Sequence, residues 1–345
     1  MFCAVLVLMF VAAPTMSAED AVYFSSPDRE SARTKITGEV VELTGTEVRI
    51  RSPGGGERKF PADRVVEVVT KRTPEQLAGN ALLAEGEYQQ ALSKFRAALA
   101  DGNEQRGWVR REIVAQIVRC YMGLGQTTAA SDAFLNLVRS DPATRSFDCI
   151  PLAWLPAQAS QELQSAAQKW LKHEESNSTA TATARLLGAS HLLATPQRDV
   201  AVAELQRLAG NDDVRIAALA KAQLWNSRLA TAAEGDLRKW STAIEQMPEL
   251  VRAGPYFVLG RALARKQRFE QAATTLLRVP ILYPADRELA ARSLVEAGAC
   301  LQQLQQSQEA GSLYREVLDR HRASAAAAEA QTRLAALAES AKGSP

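Results

Sequence analysis

The sequence is poor in the side chains on which most active sites depend. Its 345 residues include three histidines, four cysteines and 6% aromatic residues. His173, His191 and His321 are far apart and show neither HxxxH nor HExxH spacing, so no zinc-hydrolase motif is present. A GxSxG nucleophile elbow is also missing, and no carboxylate pair stands out from the surface charge. We therefore predict a protein that is not an enzyme and that has no cofactor.

The cysteines form no CxxC motif, so the sequence suggests neither a zinc site nor a redox pair. Cys3 lies in the apolar start of the chain, which leaves an odd number elsewhere: Cys120, Cys149 and Cys300. Each stands alone in a helical or loop pattern. We predict that these three behave as small buried hydrophobic residues.

The chain has no excess of either charge sign and no long apolar run. Its 41 basic and 39 acidic side chains give a net charge of +2, so no nucleic-acid partner is expected. The basic clusters "RKQR" (265–268) and "VRRE" (109–112) have no aromatic residues between them, which favours solvated helix faces. The apolar start, Met1 to Ala13, is shorter than the roughly 20 residues of a membrane-spanning helix.

That apolar start predicts a signal peptide over residues 1–18, with Ala18 as the last residue before cleavage. No Lys or Arg stands near Met1, so a retained anchor is the alternative. The mature protein would begin near Glu19 with a linker over 19–33. We expect it to be exported to the periplasm or cell envelope, with no stable membrane span after cleavage.

Residues 34–71 alternate apolar and polar side chains with a period of two, which is typical of short strands. Turns are expected at Thr44-Gly45 and at "PGGGER" (53–58). The glycine run lacks the GxxxxGK[ST] pattern of a phosphate loop, so a hairpin turn is the better interpretation. This segment predicts a small SH3-like β module.

From Thr73 onward the pattern is helical and repeats. In "AEGEYQQALSKFRAALA" (84–100), small Ala91 and Ala98 stand on the apolar face beside Phe95. Gly79 precedes Ala91 by twelve residues, and the same spacing recurs three more times. The four copies are Gly79, Ala91, Phe95, Asn103; Val118, Ala130, Phe134, Pro142; Gly260, Ala272, Leu276, Pro284; and Gly298, Ala310, Tyr314, Arg322.

This spacing of small and aromatic residues resembles the tetratricopeptide repeat (TPR). Two copies lack the terminal proline and one lacks the glycine. Successive copies are 39 and 38 residues apart (Ala91 to Ala130, Ala272 to Ala310), which exceeds the compact repeat of about 34. The longer joins resemble bacterial envelope proteins of this class that act in assembly and tethering.

We therefore predict a mainly α protein, a TPR-like helical-repeat solenoid (α–α superhelix) with the small β module at its front. The domains would be a TPR-like repeat pair (72–146), a HEAT-like helical middle segment (147–252), a second TPR-like pair (253–337) and a disordered tail (338–345). Within the middle segment, 146–156 and 174–183 are predicted linkers, and five helices are expected: Ser160 to Lys172, Thr181 to Leu193, Arg198 to Ala209, Asp213 to Ala230 and Ala233 to Met247.

In such a solenoid the first helix of each pair lines a concave groove. Projecting those helices places five polar side chains on its inner face: Asn80, Arg119, Arg261, Arg265 and Gln302. We predict a scaffold that binds a protein or an extended peptide bearing carboxylates there, with neither Arg261 nor Arg265 needed for the core. Two alternatives remain open: an envelope enzyme with a site between β module and helices, and a structural self-assembling array.

Overall fold

The computed structural model describes residues 20–25, 33–100, 102, 104–155 and 159–342. It divides into two compact units, Met1–Arg72 and Thr73–Pro345, so the boundary lies one residue from the predicted one. The predicted signal peptide over 1–18 lies outside the described residues.

The first unit contains a five-stranded antiparallel sheet with the strand order β4-β3-β2-β1-β5. Its strands are β1 (Asp20–Ser25), β2 (Arg33–Leu43), β3 (Glu47–Arg51), β4 (Glu57–Pro61) and β5 (Val65–Val69). The sheet confirms the predicted β module. The interpretation of 19–33 as a linker is wrong for residues 20–25, because β1 lies between β2 and β5.

Strand β1 is held by its own sequence pattern and by its first residue. Val22 and Phe24 are buried on one face, as the alternation of β-forming residues requires. The buried carboxylate of Asp20 accepts hydrogen bonds from the amide of Val40, at 2.8 Å, and from the hydroxyl of Thr70. Asp20 thus ties β1 to its two neighbours, β2 and the end of β5.

The second unit contains fourteen helices in the part of the chain that the structure describes. The first four are α1 (Pro74–Glu85), α2 (Tyr88–Ala100), α3 (Gly107–Gly123) and α4 (Thr127–Ser140). The middle five are α5 (Gln161–Leu171), α6 (Ser178–Leu192), α7 (Arg198–Leu208), α8 (Val214–Asn226) and α9 (Glu234–Gln246). The last five are α10 (Ala253–Arg265), α11 (Phe269–Leu282), α12 (Arg287–Gln303), α13 (Ser307–Arg320) and α14 (Ala327–Lys342).

Helices adjacent in the chain pack as pairs, and the repeated small residues mark where the backbones approach. A Cβ atom added to Gly79 would lie 2.7 Å from the ring of Phe95. One on Gly260 would lie 2.5 Å from Leu276 Cγ, and one on Gly298 would lie 2.5 Å from the ring of Tyr314. Since real Cβ contacts are longer, a side chain in place of any of these three glycines would force the facing side chain to move. The predicted helix pairs are confirmed.

The five predicted helices of the middle segment are all present, with ends within a few residues of expectation. The prediction of a linker over 146–156 is wrong. Phe147, Cys149, Ile150, Leu152 and Trp154 are all buried, in one apolar cluster that extends from Ala115 to Cys300. The three predicted helical domains therefore share a core instead of forming independent bodies.

The C-terminal helices add a smaller cluster of their own, centred on Tyr314, Leu294 and Val317 of α12 and α13. Helix α14 continues to Lys342, past residue 338 at which the disordered tail was expected to begin, and 343–345 lie outside the described residues. Among the described helices, none combines the length and the apolar character that crossing a membrane requires.

Candidate functional site: two adjoining cavities

The inner surface of the helical unit is not an open groove, because its two ends touch. Helix α12 contacts α3, and Arg322, after α13, lies 3.5 Å from the carboxylate of Glu87, before α2. Two of the cavities on this surface, both partly open to solvent, contain predicted site residues. They share Met122, Asp286 and Glu288 in their walls, so they adjoin at the start of α12.

The smaller cavity has a volume of about 360 Å³ and contains two of the predicted site residues, Asn80 and Arg119. Its opposite wall is Pro284 to Glu288, the connection between α11 and α12 together with the first two residues of α12. Arg119 donates a hydrogen bond to Asp148 at 2.6 Å. The prediction that Arg119 faces an open groove is therefore wrong: the chain itself supplies both its counterion and the opposite wall.

Acidic side chains of that connection are held in an unfavourable environment. Asp286 caps α12 by accepting the amide of Leu289 at 3.0 Å, and burial raises the pKa of its carboxyl while Arg119 partly offsets that effect. Burial likewise raises the pKa of Glu288, whose Oε1 has no hydrogen-bond partner. This cavity therefore combines an apolar lining with charged groups that burial disfavours.

The larger cavity has a volume of about 780 Å³ and contains Arg261 and Arg265. Two more arginines, Arg198 and Arg292, line it, and its carboxylates are Asp286 and Glu288. Its remaining wall is largely apolar, with Leu152, Leu155, Leu163, Leu193, Leu229 and Leu289. An apolar chamber with several guanidinium groups is suited to a ligand that combines apolar groups with negative charge.

Arg261 and Arg265 stand one helical turn apart on α10 but have different surroundings. Arg261 has a side chain only 12% exposed, with its Nε 3.7 Å from a carboxylate oxygen of Glu296. Its guanidinium also lies over the ring of Phe257 and donates to the carbonyl of Trp154 at 3.5 Å. Arg261 therefore contributes to packing, and the prediction that the core does not need it is wrong.

Arg265, by contrast, is exposed and forms no hydrogen bond or ion pair with the residues that the structure describes. Burial lowers the pKa of Arg261, and the positive charges of Arg265 and Arg292 lower it further against the opposing effect of Glu296. The three arginines thus repel one another, although Glu296 pairs with Arg261 and Arg292, and Glu329 pairs with Arg292. A bound anion would relieve that repulsion.

One wall of the larger cavity is the extended segment Pro151 to Leu155, which polar side chains of the inner helices hold by its backbone. On α6, His191 donates to the carbonyl of Pro151 at 2.9 Å, and the Ser190 hydroxyl accepts the amide of Ala153 at 2.8 Å. On α8, Gln223 donates to the carbonyl of Ala153 at 3.2 Å, and Asn226 donates to the carbonyl of Trp154 at 3.3 Å. Sequence analysis missed this arrangement. The available signal in the sequence was a large apolar residue at every second position, Ile150, Leu152 and Trp154.

His191 illustrates how that segment is fixed. Its Nε2 faces a carbonyl oxygen, so the ring must carry its proton on Nε2. Burial lowers the pKa of His191 to about 4, despite the opposing hydrogen bond to Pro151. The ring is therefore neutral near pH 7 and acts as a structural donor.

Gln302, the last predicted site residue, lies apart from Arg261 and Arg265. Its amide oxygen accepts a hydrogen bond from the Tyr314 hydroxyl at 2.6 Å, and it lines neither of the two cavities. The structure thus brings the predicted residues together in two pairs, Asn80 with Arg119 and Arg261 with Arg265. It leaves Gln302 at the joint between α12 and α13.

The described residues include no group of three or more His, Cys, Asp or Glu side chains that could hold a metal ion. Cys120, Cys149 and Cys300 are free and buried, and burial raises their pKa values to about 12, 12 and 11. They are small buried residues, as predicted, and their thiols are not activated.

Comparison with known proteins gives this chain no family. No model of a protein family matches it, and no curated protein matches it either. The function of the chain must therefore be inferred from its own residues and their geometry.

Proposed function

We propose that this protein is a non-enzymatic scaffold that binds a partner protein or peptide through the larger cavity of its helical unit. The observation that carries the proposal is Arg265, an exposed guanidinium without a partner among the described residues, beside the crowded Arg261 in a chamber of about 780 Å³. Charge-assisted hydrogen bonds from arginine to carboxylate are the strong ones, and arginine can bind both oxygens at once.

An extended peptide is the ligand that the cavity favours. The chain shows on itself how its inner helices hold such a segment, since α6, α8 and α10 bind the backbone of Pro151 to Trp154 with side-chain amides, an imidazole and a guanidinium. The leucine-rich wall can contact apolar side chains of a peptide ligand, and Arg265 can bind a carboxylate of the same peptide.

The repeat class and the cellular location belong to the same proposal. Support for a TPR-type array comes from three crossings in which a glycine meets a large side chain sixteen residues later: Gly79 with Phe95, Gly260 with Leu276 and Gly298 with Tyr314. Export to the periplasm or cell envelope rests on the apolar segment 1–18. Cleavage after Ala18 would leave β1, which begins at Asp20, intact.

The test is affinity capture from envelope extract with matched variants. The full-length protein, Arg265→Ala and the control Lys266→Ala, which removes the same charge from an exposed position outside both cavities, are immobilised in parallel. A partner that binds through the cavity should lose about tenfold or more in affinity for Arg265→Ala, because a hydrogen bond to a charged group contributes about 1.5–3 kcal/mol. Lys266→Ala should bind normally.

Two results would contradict the proposal. One is capture of the same partner with equal affinity by all three proteins, which would place binding elsewhere on the molecule. The other is equal loss in both variants that disappears at high salt, which would indicate general attraction to positive charge instead of a site.

A further inference from the structure

The smaller cavity has walls from opposite ends of the helical unit. One wall comes from α1 to α3 and includes Asn80 and Arg119; the other is Pro284 to Glu288, the connection between α11 and α12 together with the first two residues of α12. In sequence these walls are more than 150 residues apart. The connection therefore covers the inner surface of the first helix pairs in the way that a bound segment would.

We call the line along which these two walls meet the seam. The contacts across the seam differ from those inside each helix pair. Inside the pairs, residues such as Phe95 and Tyr314 are fully buried against glycine. Across the seam, Glu87 and Arg322 meet at 3.5 Å with side chains 41% and 69% exposed, and Arg119 attracts the carboxylate of Asp286. Exposed ion pairs of this kind contribute little to stability, so the seam has weaker local support than the pairs that it joins.

The connection also carries groups that its present position does not satisfy. Glu288 Oε2 accepts the amide of Ala325 at 3.2 Å and Arg287 donates to the carbonyl of Arg320, but Glu288 Oε1 and Arg287 Nε are buried without a hydrogen-bond partner. The charged groups that surround Asp286 are Arg119 and Asp148, and those around Glu288 are Asp286 and Arg287. Unpaired buried polar atoms cost free energy, which favours release of the segment into water.

We propose that Pro284 to Glu288 is a displaceable plug, and that its release exposes Asn80 and Arg119 as a second binding surface for an extended acidic segment. Such a segment would take the place of Asp286 beside Arg119. This inference extends the proposed function to the other end of the same inner surface. It rests on the proposed function only for the existence of a partner, because opening of the seam can be measured on the protein alone.

Cys149 is a built-in reporter of that opening. It lines the smaller cavity and is 3% exposed, whereas Cys120 and Cys300, 0% and 4% exposed, lie outside both cavity walls. The native full-length protein is treated with iodoacetamide, and each site is followed by the mass of its proteolytic peptide. If the seam opens locally, iodoacetamide should alkylate Cys149 at least about tenfold faster than Cys120 and Cys300. Those two cysteines should react only when a larger part of the protein unfolds.

A reversible lock tests whether the seam controls this reaction. A Cβ atom on Gly86 would lie 3.6 Å from that of Ala323, within the range of about 3.5–4.5 Å for disulfides. Oxidation of the double variant Gly86→Cys/Ala323→Cys should slow alkylation of Cys149 by about tenfold or more relative to its reduced form. Cys120 and Cys300 should change much less.

Because Gly86 has φ of 81°, which favours glycine, charge variants provide an independent check. Glu87→Arg places like charges at the seam and should speed alkylation of Cys149 by about two- to fivefold. Adding Arg322→Glu should restore the native rate. Equal rates for Cys120, Cys149 and Cys300, or a Cys149 rate that neither lock nor charge reversal changes, would overturn the plug while leaving the proposal for Arg265 untouched.

Discussion

The periodic helix pairs and the middle segment of this protein fill their cores in different ways. In the pairs, a glycine at a fixed spacing admits a large side chain of the next helix, as Gly79 admits Phe95. In the middle segment, a non-helical stretch, Ile150 to Trp154, is buried instead, and polar side chains of α6 and α8 satisfy its backbone. The first device repeats in the sequence, whereas the second occurs at one place.

The difference has a physical reason. Close packing of two helices needs only a small residue at the crossing, so a local pattern suffices. Burial of an extended segment requires partners for each amide and carbonyl, and those partners come from positions about 40 to 110 residues away, such as Ser190 and Arg261. The middle segment therefore depends more on distant residues than the pairs do.

The largest expected effect concerns Trp154, which distinguishes a core segment from a linker. Its ring fills the space over Gly254, where an added Cβ would lie 2.0 Å from Trp154 Cζ2. We expect Trp154→Ala to lower the free energy of unfolding by about 3–5 kcal/mol, measured by urea denaturation. The control Val200→Ala, at a side chain that is 57% exposed, should change it by less than about 0.5 kcal/mol. A similar small effect at Trp154 would restore the linker interpretation.

The second prediction concerns the pH dependence of the middle segment. The pKa of His191 falls from 6.5 to about 4 on folding, so the folded state resists protonation. Its contribution is complete above pH 6.5 and is lost as the pH falls toward 4, by about 3 kcal/mol in total.

Denaturation at several pH values checks this prediction with His191→Gln, whose amide can still donate to Pro151. The variant should show a flatter decline of stability between pH 6.5 and 4. Some slope should remain, because the pKa of His321 is also lowered to about 4 by burial and by Arg287 and Arg320. An unchanged slope in the variant would mean that His191 does not cause the decline.

The third prediction tests the crossings of the periodic pairs. Gly260→Ala and Gly298→Ala should each destabilise the protein by about 1–3 kcal/mol, since Leu276 and Tyr314 must move. Gly235→Ala in α9 is the matched control, because nothing lies within 4 Å of its added Cβ. That change should be neutral or stabilise by up to about 1 kcal/mol. Equal effects at all three positions would show that helix propensity, not close packing, explains the glycines.

The smallest expected stability effect separates the two arginines of α10. Arg265→Ala should change the free energy of unfolding by no more than about 0.5 kcal/mol, as exposed positions do. Arg261→Ala should cost about 1–2 kcal/mol, because it loses contacts with Glu296, Trp154 and Phe257. Thermal or urea unfolding of the two single variants decides between this expectation and the equal, small effects that the sequence predicted.

Much of the fold could be predicted from periodicity. The helices after Thr73, the strands of 34–71 and the close approach at Gly79 all follow from local patterns. Strand β1 was missed although its alternation of Val22 and Phe24 is visible, because these six residues follow the apolar start of the sequence and gave little context. The SH3-like closure of the sheet stays a prediction.

The candidate site was less predictable, because helix projection identifies a face but not what lies opposite that face. It placed Arg261 and Arg265 together correctly on α10. It could not show that Arg119 would be covered by the connection before α12, or that Gln302 would bond to Tyr314. Each of these depends on how the rotations at successive helix pairs add up along the chain.

The sequence by itself determined where helices and strands form and which small residues lie at the crossings, because these features depend on neighbours within about twenty residues. Only the tertiary structure decided that the two ends of the helical unit meet, that Pro151 to Leu155 forms a cavity wall, and that Arg265 is left without a partner among the described residues. Those outcomes depend on contacts between residues that are about 40 to more than 230 positions apart. Apart from the alternation of Ile150, Leu152 and Trp154, no local pattern in the sequence indicates them.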